Sequence, residues 1–446
     1  MGKEDNSLKE NIKQIAKLFL EKAKENEILV VSHFDTDGIS SAAIMIRALK
    51  RLDARFTIRI VKSLEENFIL DLPKDKLILF LDLASSSFEH LKKANLKEIF
   101  IIDHHEITQE IPKEINIVNS WLHNKEKICS SGLTYLFCNE LHPENKNLSK
   151  LAVLGMIGDI MENSLDILGE EIFSNGDLKK IKGLMIYPST RPVNKVLEYS
   201  SQPYIPGVTG NPQGITELLR GAGIEPNGGK YKSLIELTEE EMKKLTTGII
   251  LRNPKIKNRP MIGDIILLKF FNKLEDAREL SAMINACSRL GKSDAAIRFC
   301  LESPNIRKEV EEIHVKYKQH LISGLNFVSK TEKITGKGLV IINAKNHIKD
   351  TIIGTIASII SNSPTYEEGT IIAAMAYYED KIKISARNVG RNGKNVREIL
   401  EIVMNQMGGG EIGGHEFAAG CIISREREKE FIELLKKNFE IERIKI

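Results

Sequence analysis

Cysteine is scarce in this 446-residue chain: five residues, at 129, 138, 287, 300 and 421, too scattered for any paired CxxC spacing. That excludes a zinc ribbon and a disulfide framework, and it fits a reducing cytoplasm. Long apolar runs are missing as well. The longest are strand-sized, well short of the ~18 residues a membrane span needs, and the opening MGKEDNSLKENIKQ lacks the apolar core of a signal peptide. The chain therefore reads as soluble and cytoplasmic, with no membrane partner. Charge of one sign is also lacking: 64 Lys and Arg stand against 61 Asp and Glu. Any affinity for nucleic acid must then come from local patches. Aromatic residues make up only 6% with a single Trp, so stacking on bases has little to work with and phosphate contacts should dominate.

What is present is length and alternation. At ~150 residues per domain the chain holds two or three domains. Leu8, Ile12, Ile15 and Phe19 share one helical face, ILVVSH at 28–33 reads as a fully buried strand, and a helix is expected over roughly 39–51. Short apolar runs recur at 55–61, 77–82, 99–103 and 115–119, with helical stretches between most of them. This alternation predicts an α/β fold with a doubly wound, mainly parallel sheet. From 188 the texture changes, with six of the 13 prolines between 188 and 226 interleaved with glycine. Helical, charged segments follow to about 320, and a smaller α/β pattern then restarts. The expected layout is an N-terminal catalytic domain over 1–187, a Pro/Gly-rich connector with a mostly helical middle over 188–320, and a C-terminal α/β domain over 321–446.

Three N-terminal strands end in carboxylate or imidazole: ILVVSHFDTDG in His33, Asp35 and Asp37, LILFLD in Asp82, and IFIIDHHE in Asp103, His104 and His105. In open α/β sheets ligands bind outside the carboxyl ends of the strands, so these groups should converge. Asp159 adds a carboxylate inside LAVLGMIGDIM, a helix apolar almost all round, where it needs compensation. Asp35, Asp37, Asp82 and Asp159 carry the charge that two divalent cations neutralise, with His33 and His104 as neutral donors. Two such ions, about 3.5–4 Å apart, clamp the attacking and leaving oxygens of a displacement at phosphorus. Mixed imidazole and carboxylate ligands suit Mn²⁺ better than Mg²⁺. Taken singly, Asp37 could be only a helix N-cap and DHH only a turn; the conjunction favours metal.

HFDTDG, the strand-ending Asp82, DHH at 103–105 and GDI with Asp159 resemble the four motifs of the DHH phosphoesterases, and GGGEIGGHEFAAG at 408–420 resembles the glycine-rich signature of the DHHA1 branch. PYIPGVTGNPQGITELLRGAGI and NACSRLG at 285–291 resemble archaeal RecJ-like exonucleases, whose relatives include a replisome nuclease bound to the GINS complex. The resemblance implies His33, Asp35 and Asp82 on one metal and Asp37, Asp82, His104 and Asp159 on the other, with Asp82 bridging. It further implies His105 facing the scissile phosphate and Asp103 orienting the histidine pair. The implied activity is a Mn²⁺-dependent exonuclease, with Mg²⁺ the alternative ion. It would act on single-stranded DNA, or RNA, release mononucleotides 5′ to 3′ in replication or repair, and have GINS as a partner. Two other readings are an oligonucleotide or cyclic-dinucleotide phosphodiesterase and a replisome scaffold with vestigial catalysis.

For the nucleic acid, the acid-free run 381–397 holds Lys381, Lys383, Arg387, Arg391, Lys394 and Arg397. With the backbone of Gly413 and Gly414 and the side chain of His415 it could form a phosphate clamp; the competing reading is a solvated basic strand pair. Arg289 resembles a family position near the strand-binding groove, or is a helix-surface arginine. A second basic stretch, Arg252, Lys255, Lys257 and Arg259, is either a track for the strand or a solvated loop. Cys287 and Cys421 read as small core residues.

Overall fold

The structure, a computed structural model, describes residues 7–123, 127–161, 167–175, 178–200, 203–256, 261–363, 365–410 and 412–441. Lys257, Arg259 and the side chain of Lys255 lie outside the described residues. The chain forms two compact units, one of residues 1–181 with 266–314 and one of 182–265 with 315–446. Part of the expected middle segment, residues 266–314, thus belongs to the same compact unit as the N-terminal sheet.

The first unit begins α1 (Leu8–Ala23), β1 (Ile28–His33), α2 (Thr36–Arg51), β2 (Phe56–Val61), α3 (Glu66–Leu70), β3 (Leu77–Leu81), α4 (Phe88–Ala94), β4 (Glu98–Asp103), β5 (Ile115–Asn119), α5 (Ser130–Leu141), α6 (Ser149–Gly158) and α7 (Ile167–Asn175). Its five strands are all parallel, in the order β2-β1-β3-β4-β5. Because successive side chains on a strand point to opposite faces, the unbroken apolar runs build two cores. Ile28, Val30, Leu77, Leu79, Phe100 and Ile102 pack with α1, α2, α5 and α6 on one face. Leu29, Val31, Ile78, Phe80, Ile99 and Ile101 pack with α3 and α4 on the other.

Helix α2 starts at Thr36, three residues before the expected 39, because Asp35 caps it by accepting the Gly38 N–H at 3.1 Å. Gly38 is required in that first turn: a Cβ there would lie 2.4 Å from the His33 carbonyl oxygen.

Next come β6 (Leu178–Leu184), α8 (Val193–Glu198), α9 (Pro212–Gly221), α10 (Glu239–Arg252) and β7 (Ile262–Phe270). Within the Pro/Gly-rich stretch, Pro212 opens α9 under an Asn211 cap. The chain continues through β8 (Lys273–Asp276), α11 (Ala277–Arg289), α12 (Ser293–Cys300) and α13 (Ile306–Lys330). Helix α11 packs against α6 and α2.

The C-terminal part holds β9 (Ile334–Gly336), β10 (Leu339–Asn343), α14 (Asp350–Ser361), β11 (Ile371–Tyr378), β12 (Lys381–Asn388), α15 (Val396–Gln406), β13 (Ile412–His415), β14 (Ala418–Ser424) and α16 (Glu428–Ile441). Its sheet, in the order β13-β14-β12-β11-β10-β9, pairs β10 and β11 in parallel and the rest antiparallel. Helices α15 and α16 supply Ile399, Val403, Phe431 and Leu435 to its core, while α14 packs against β11 and β12. All five cysteines are buried and unpaired, with the Cys287 and Cys421 thiols pushed up to about 12 by burial. Among the described residues, no helix is long and apolar enough to cross a membrane.

Candidate metal centre

The strand order places β1 beside β3, while the chain leaves β1 toward one edge and β3 toward the other. This is a topological switch point, and open α/β sheets bind ligands outside the carboxyl ends of the strands at such a point. His33 ends β1 and Asp35 caps α2; Asp82 follows β3, and Asp103 ends β4 with His104 and His105 just beyond. His33 Nδ1 lies 3.1 Å from Asp35 Oδ2 and 3.2 Å from Asp82 Oδ2. His104 Nε2 lies 3.6 Å from Asp82 Oδ1 and 3.3 Å from Asp159 Oδ2. Three sets have ligand atoms mutually within 4.8 Å: His33, Asp35 and Asp82; Asp37, His104 and Asp159; and Asp82, His104 and His105. Asp82 is 1% exposed, sits in the left-handed region at φ 61°, and buries Oδ1 with no hydrogen-bond partner.

Asp37 does not cap α2. Its carboxylate, wholly buried, accepts the backbone N–H groups of Ser130 at 2.7 Å and Ser131 at 2.9 Å, at the start of α5. Asp159 is not inside α6 but just past its last residue, Gly158. Two glycines let α6 come close enough to deliver it. A Cβ on Gly155 would lie 2.5 Å from Asp37 Oδ1, and one on Gly158 would lie 2.7 Å from Thr36 Cβ. The helix closes with the Ile160 N–H donating to Ile157 O at 3.1 Å and the Met161 N–H to Met156 O at 2.9 Å, the Schellman arrangement. The residue in its left-handed position is Ile160, at φ 57°, where a β-branched side chain costs roughly 1–2 kcal/mol.

Asp103, also wholly buried, is held by four donors. Oδ1 accepts from the His104 N–H at 2.8 Å, the His105 N–H at 3.3 Å and His105 Nδ1 at 2.7 Å; Oδ2 accepts from the Ser85 N–H at 3.0 Å. Asn119 Nδ2 donates to Ser85 Oγ at 2.9 Å and to His105 O at 3.0 Å. Sequence reasoning missed Ser85 and Asn119. A signal existed for Asn119, which closes β5 in register with Asp103 on β4, as the acids close the neighbouring strands.

Burial, reinforced by the charges of Asp35, Asp37 and Asp159, holds the Asp82 carboxyl well above the usual range. Burial with Asp37 and Asp35 does the same to Asp159. Burial lowers His104. For His33 and Asp35 burial is opposed and outweighed by their mutual attraction, which raises the imidazole and lowers the carboxyl. The same holds for His105 and Asp103. Mutually repelling carboxylates around an orphaned buried oxygen, with imidazoles among them, are a donor set that fits divalent cations.

The residues nominated for nucleic acid fall in both units. Arg289 ends α11 in the first, while Arg387, Arg391, Gly413, Gly414 and His415 are in the second. Arg387 is half-buried and donates to Ser358 Oγ at 3.0 Å, Ala386 O at 2.8 Å and Ala419 O at 3.4 Å. Arg391 is exposed. Gly413, Gly414 and His415 are exposed on β13. Gly414, at φ 114°, meets a local need, since a Cβ there would lie 2.2 Å from Ala418 O across the hairpin. Arg397 bonds Gly414 O at 3.1 Å and Glu401 at 2.8 Å. Arg252, at the end of α10, donates to Gly248 O at 3.1 Å.

Family models match three segments: the DHH family N-terminal domain over 27–158, the DHH-CID domain over 187–258 and the DHHA1 domain over 336–440. An uncharacterized protein of Methanocaldococcus jannaschii is 29% identical over 453 residues, covering 95% of this chain and 96% of that one. Among solved structures, exonuclease RecJ bound to manganese is 17% identical at a TM-score of 0.59, covering 96% of this chain and 94% of that one. RecJ from Thermus thermophilus in complex with Mn²⁺ has the same identity and TM-score, and this chain spans 54% of its length. CDC45 from Entamoeba histolytica is 11% identical at a TM-score of 0.69, covering 97% of this chain and 99% of that one. At such identities these likenesses establish the fold. The three matched segments together span more than two thirds of the chain, which thus carries a DHH N-terminal domain, a DHH-CID domain and a DHHA1 domain in that order.

Proposed function

We propose that this protein is a metal-dependent phosphodiesterase that degrades single-stranded DNA, and RNA, from the 5′ end and releases mononucleotides in replication or repair. In this reading residues 1–187 carry the chemistry, 188–320 form the connector and mostly helical middle, and 321–446 bind the strand, with a replisome complex of the GINS type as a partner. The observation that carries it is the buried Asp82 carboxylate, its Oδ1 without a hydrogen-bond partner, ringed by Asp35, Asp37, Asp159, His33 and His104. His33, Asp35 and Asp82 would hold one cation and Asp37, His104 and Asp159, with Asp82, the other, Mn²⁺ before Mg²⁺. When bound, such a pair supplies charge stabilisation at a phosphoryl group and activates water.

The chain's own residues do the rest. Asp103 fixes the tautomer and the orientation of His105 through Nδ1 and favours its protonated form. Nε2 is left to donate to a phosphate oxygen as charge develops there. Ser85 and Asn119 hold that pair in place. The likeness to RecJ and the DHHA1 domain support a nucleic-acid strand as substrate.

The likeness to CDC45 favours a second reading, a replisome scaffold. The complete carboxylate and imidazole set weighs against it. Digestion of end-labelled DNA and RNA strands and of dinucleotides, with Mn²⁺ or Mg²⁺, separates the readings. Mononucleotides released progressively from the 5′ label support the exonuclease. Cleavage of dinucleotides alone supports a small-substrate phosphodiesterase, and no cleavage with either ion supports the scaffold.

A further inference from the structure

Ile160 combines three properties that rarely meet. It stands at the left-handed position of a Schellman motif, at φ 57°, a place that glycine or asparagine fills without strain. It is β-branched, the side-chain type least suited to that backbone. And it is 71% exposed, so burial does not compensate the strain. Its Cα is one peptide, about 3.8 Å, from that of Asp159, whose carboxylate lies in the candidate metal centre. A glycine would close the helix and present Asp159 through the same hydrogen bonds, so helix closure gives no reason for the isoleucine. Strained backbone at a candidate site points to a role for the side chain.

We infer that Ile160 is a substrate-contacting residue, an apolar platform at the rim of the centre on which the base of a nucleotide next to the scissile phosphate packs. This rests on the nucleic-acid reading above and adds a contact that reading lacks. The carboxylates and imidazoles engage phosphate and ions and distinguish no base from an empty sugar; a desolvating aliphatic surface does. Such a contact is sequence-tolerant, because every base has an apolar face.

The test compares a ten-nucleotide DNA strand with the same strand lacking its two terminal bases at each end. Binding to the full-length protein is read by fluorescence anisotropy with Ca²⁺ as the divalent cation. Wild type should prefer the intact strand about tenfold, the scale of one apolar contact in a pocket. I160G and I160N, which suit the left-handed backbone but lack the apolar surface, should bind both strands equally, and I160L should keep the preference. I160G should also melt about 2 °C higher than wild type. Equal binding of the two strands by wild type, an undiminished preference in I160G and I160N, or a lower melting temperature for I160G each overturns the inference. The outcome is separable from the proposed activity: base discrimination without hydrolysis would sink the nuclease reading and leave this contact standing, and hydrolysis without discrimination would do the reverse.

Discussion

The switch-point cluster of the first unit and the glycine-rich hairpin of the second are both rich in polar groups, but they differ in how far those groups are satisfied. In the cluster, four carboxylates crowd together, Asp82 keeps a buried oxygen without a donor, and burial with like charge raises both Asp82 and Asp159. Around the hairpin, Arg387 on β12 donates to three acceptors of its own domain, Arg397 on α15 is divided between Glu401 and Gly414 O, and Gly414 is demanded by the turn. The first region leaves like charges and a buried acceptor that its own residues do not satisfy. The second owes much of its sequence character to holding itself together, with Arg391 and His415 left exposed.

The largest effect expected is at Asp82. Asp82→Asn should lower turnover by about a thousandfold or more, because both proposed ion sites share it, and it should leave the metal-free melting temperature unchanged or raised, since a repelling charge is removed. Turnover within tenfold of wild type at saturating Mn²⁺ would erase the contrast between the regions. His105→Ala comes next. A loss of about a hundredfold in kcat is expected, with Mn²⁺ affinity by calorimetry kept within a few-fold; a collapse of affinity would make His105 a ligand, as its place in one ligand-spaced set allows.

The third expectation concerns pH without metal. Asp82 and Asp159 are raised relative to the unfolded chain. The stability they contribute is therefore fully present below the unfolded carboxylate pKa and is lost as pH rises through their folded values. His33 and His105, also raised, act in the same sense at higher pH. The lowered Asp35 and Asp103 act in the opposite sense only below the unfolded carboxylate pKa, and above it the lowered His104 stands against the four raised groups. From about pH 4, the unfolded carboxylate range, toward neutral, metal-free protein should thus melt at lower temperature as pH rises, a tenfold difference in proton affinity between folded and unfolded chain being worth about 1.4 kcal/mol, and saturating Mn²⁺ should flatten that trend. A metal-free melting temperature rising across this window would contradict the electrostatic account.

The smallest effects lie in the hairpin domain and separate the two arginines. Arg391→Glu and His415→Ala should weaken binding of long single strands and reduce the salt slope by about one log–log unit for each phosphate no longer engaged, with Mn²⁺ affinity and melting unchanged. Arg387→Glu should instead lower the melting temperature, because Ser358, Ala386 and Ala419 lose their donor. If Arg391→Glu degrades long strands at the wild-type rate across a salt series, the hairpin is a solvated face.

The residues themselves carried the strands, the parallel sheet and the nomination of His33, Asp35, Asp37, Asp82, Asp103, His104 and His105. Apolar runs report burial locally, and a polar residue closing such a run must leave the sheet at its carboxyl end. Tertiary structure decided what depends on distant partners. Asp37 was legible as a carboxylate near a helix start, but its acceptance of N–H groups from α5, more than ninety residues on, follows only from packing. Asp159 looked buried within a helix; Gly155 and Gly158 bring that helix's end against α2, a fit that depends on atoms of both elements. The unpartnered Asp82 oxygen, the support from Ser85 and Asn119, and the internal bonds of Arg387 belong to the same class. Hydrogen-bond satisfaction is a property of neighbours in space, which the order of residues along the chain does not record.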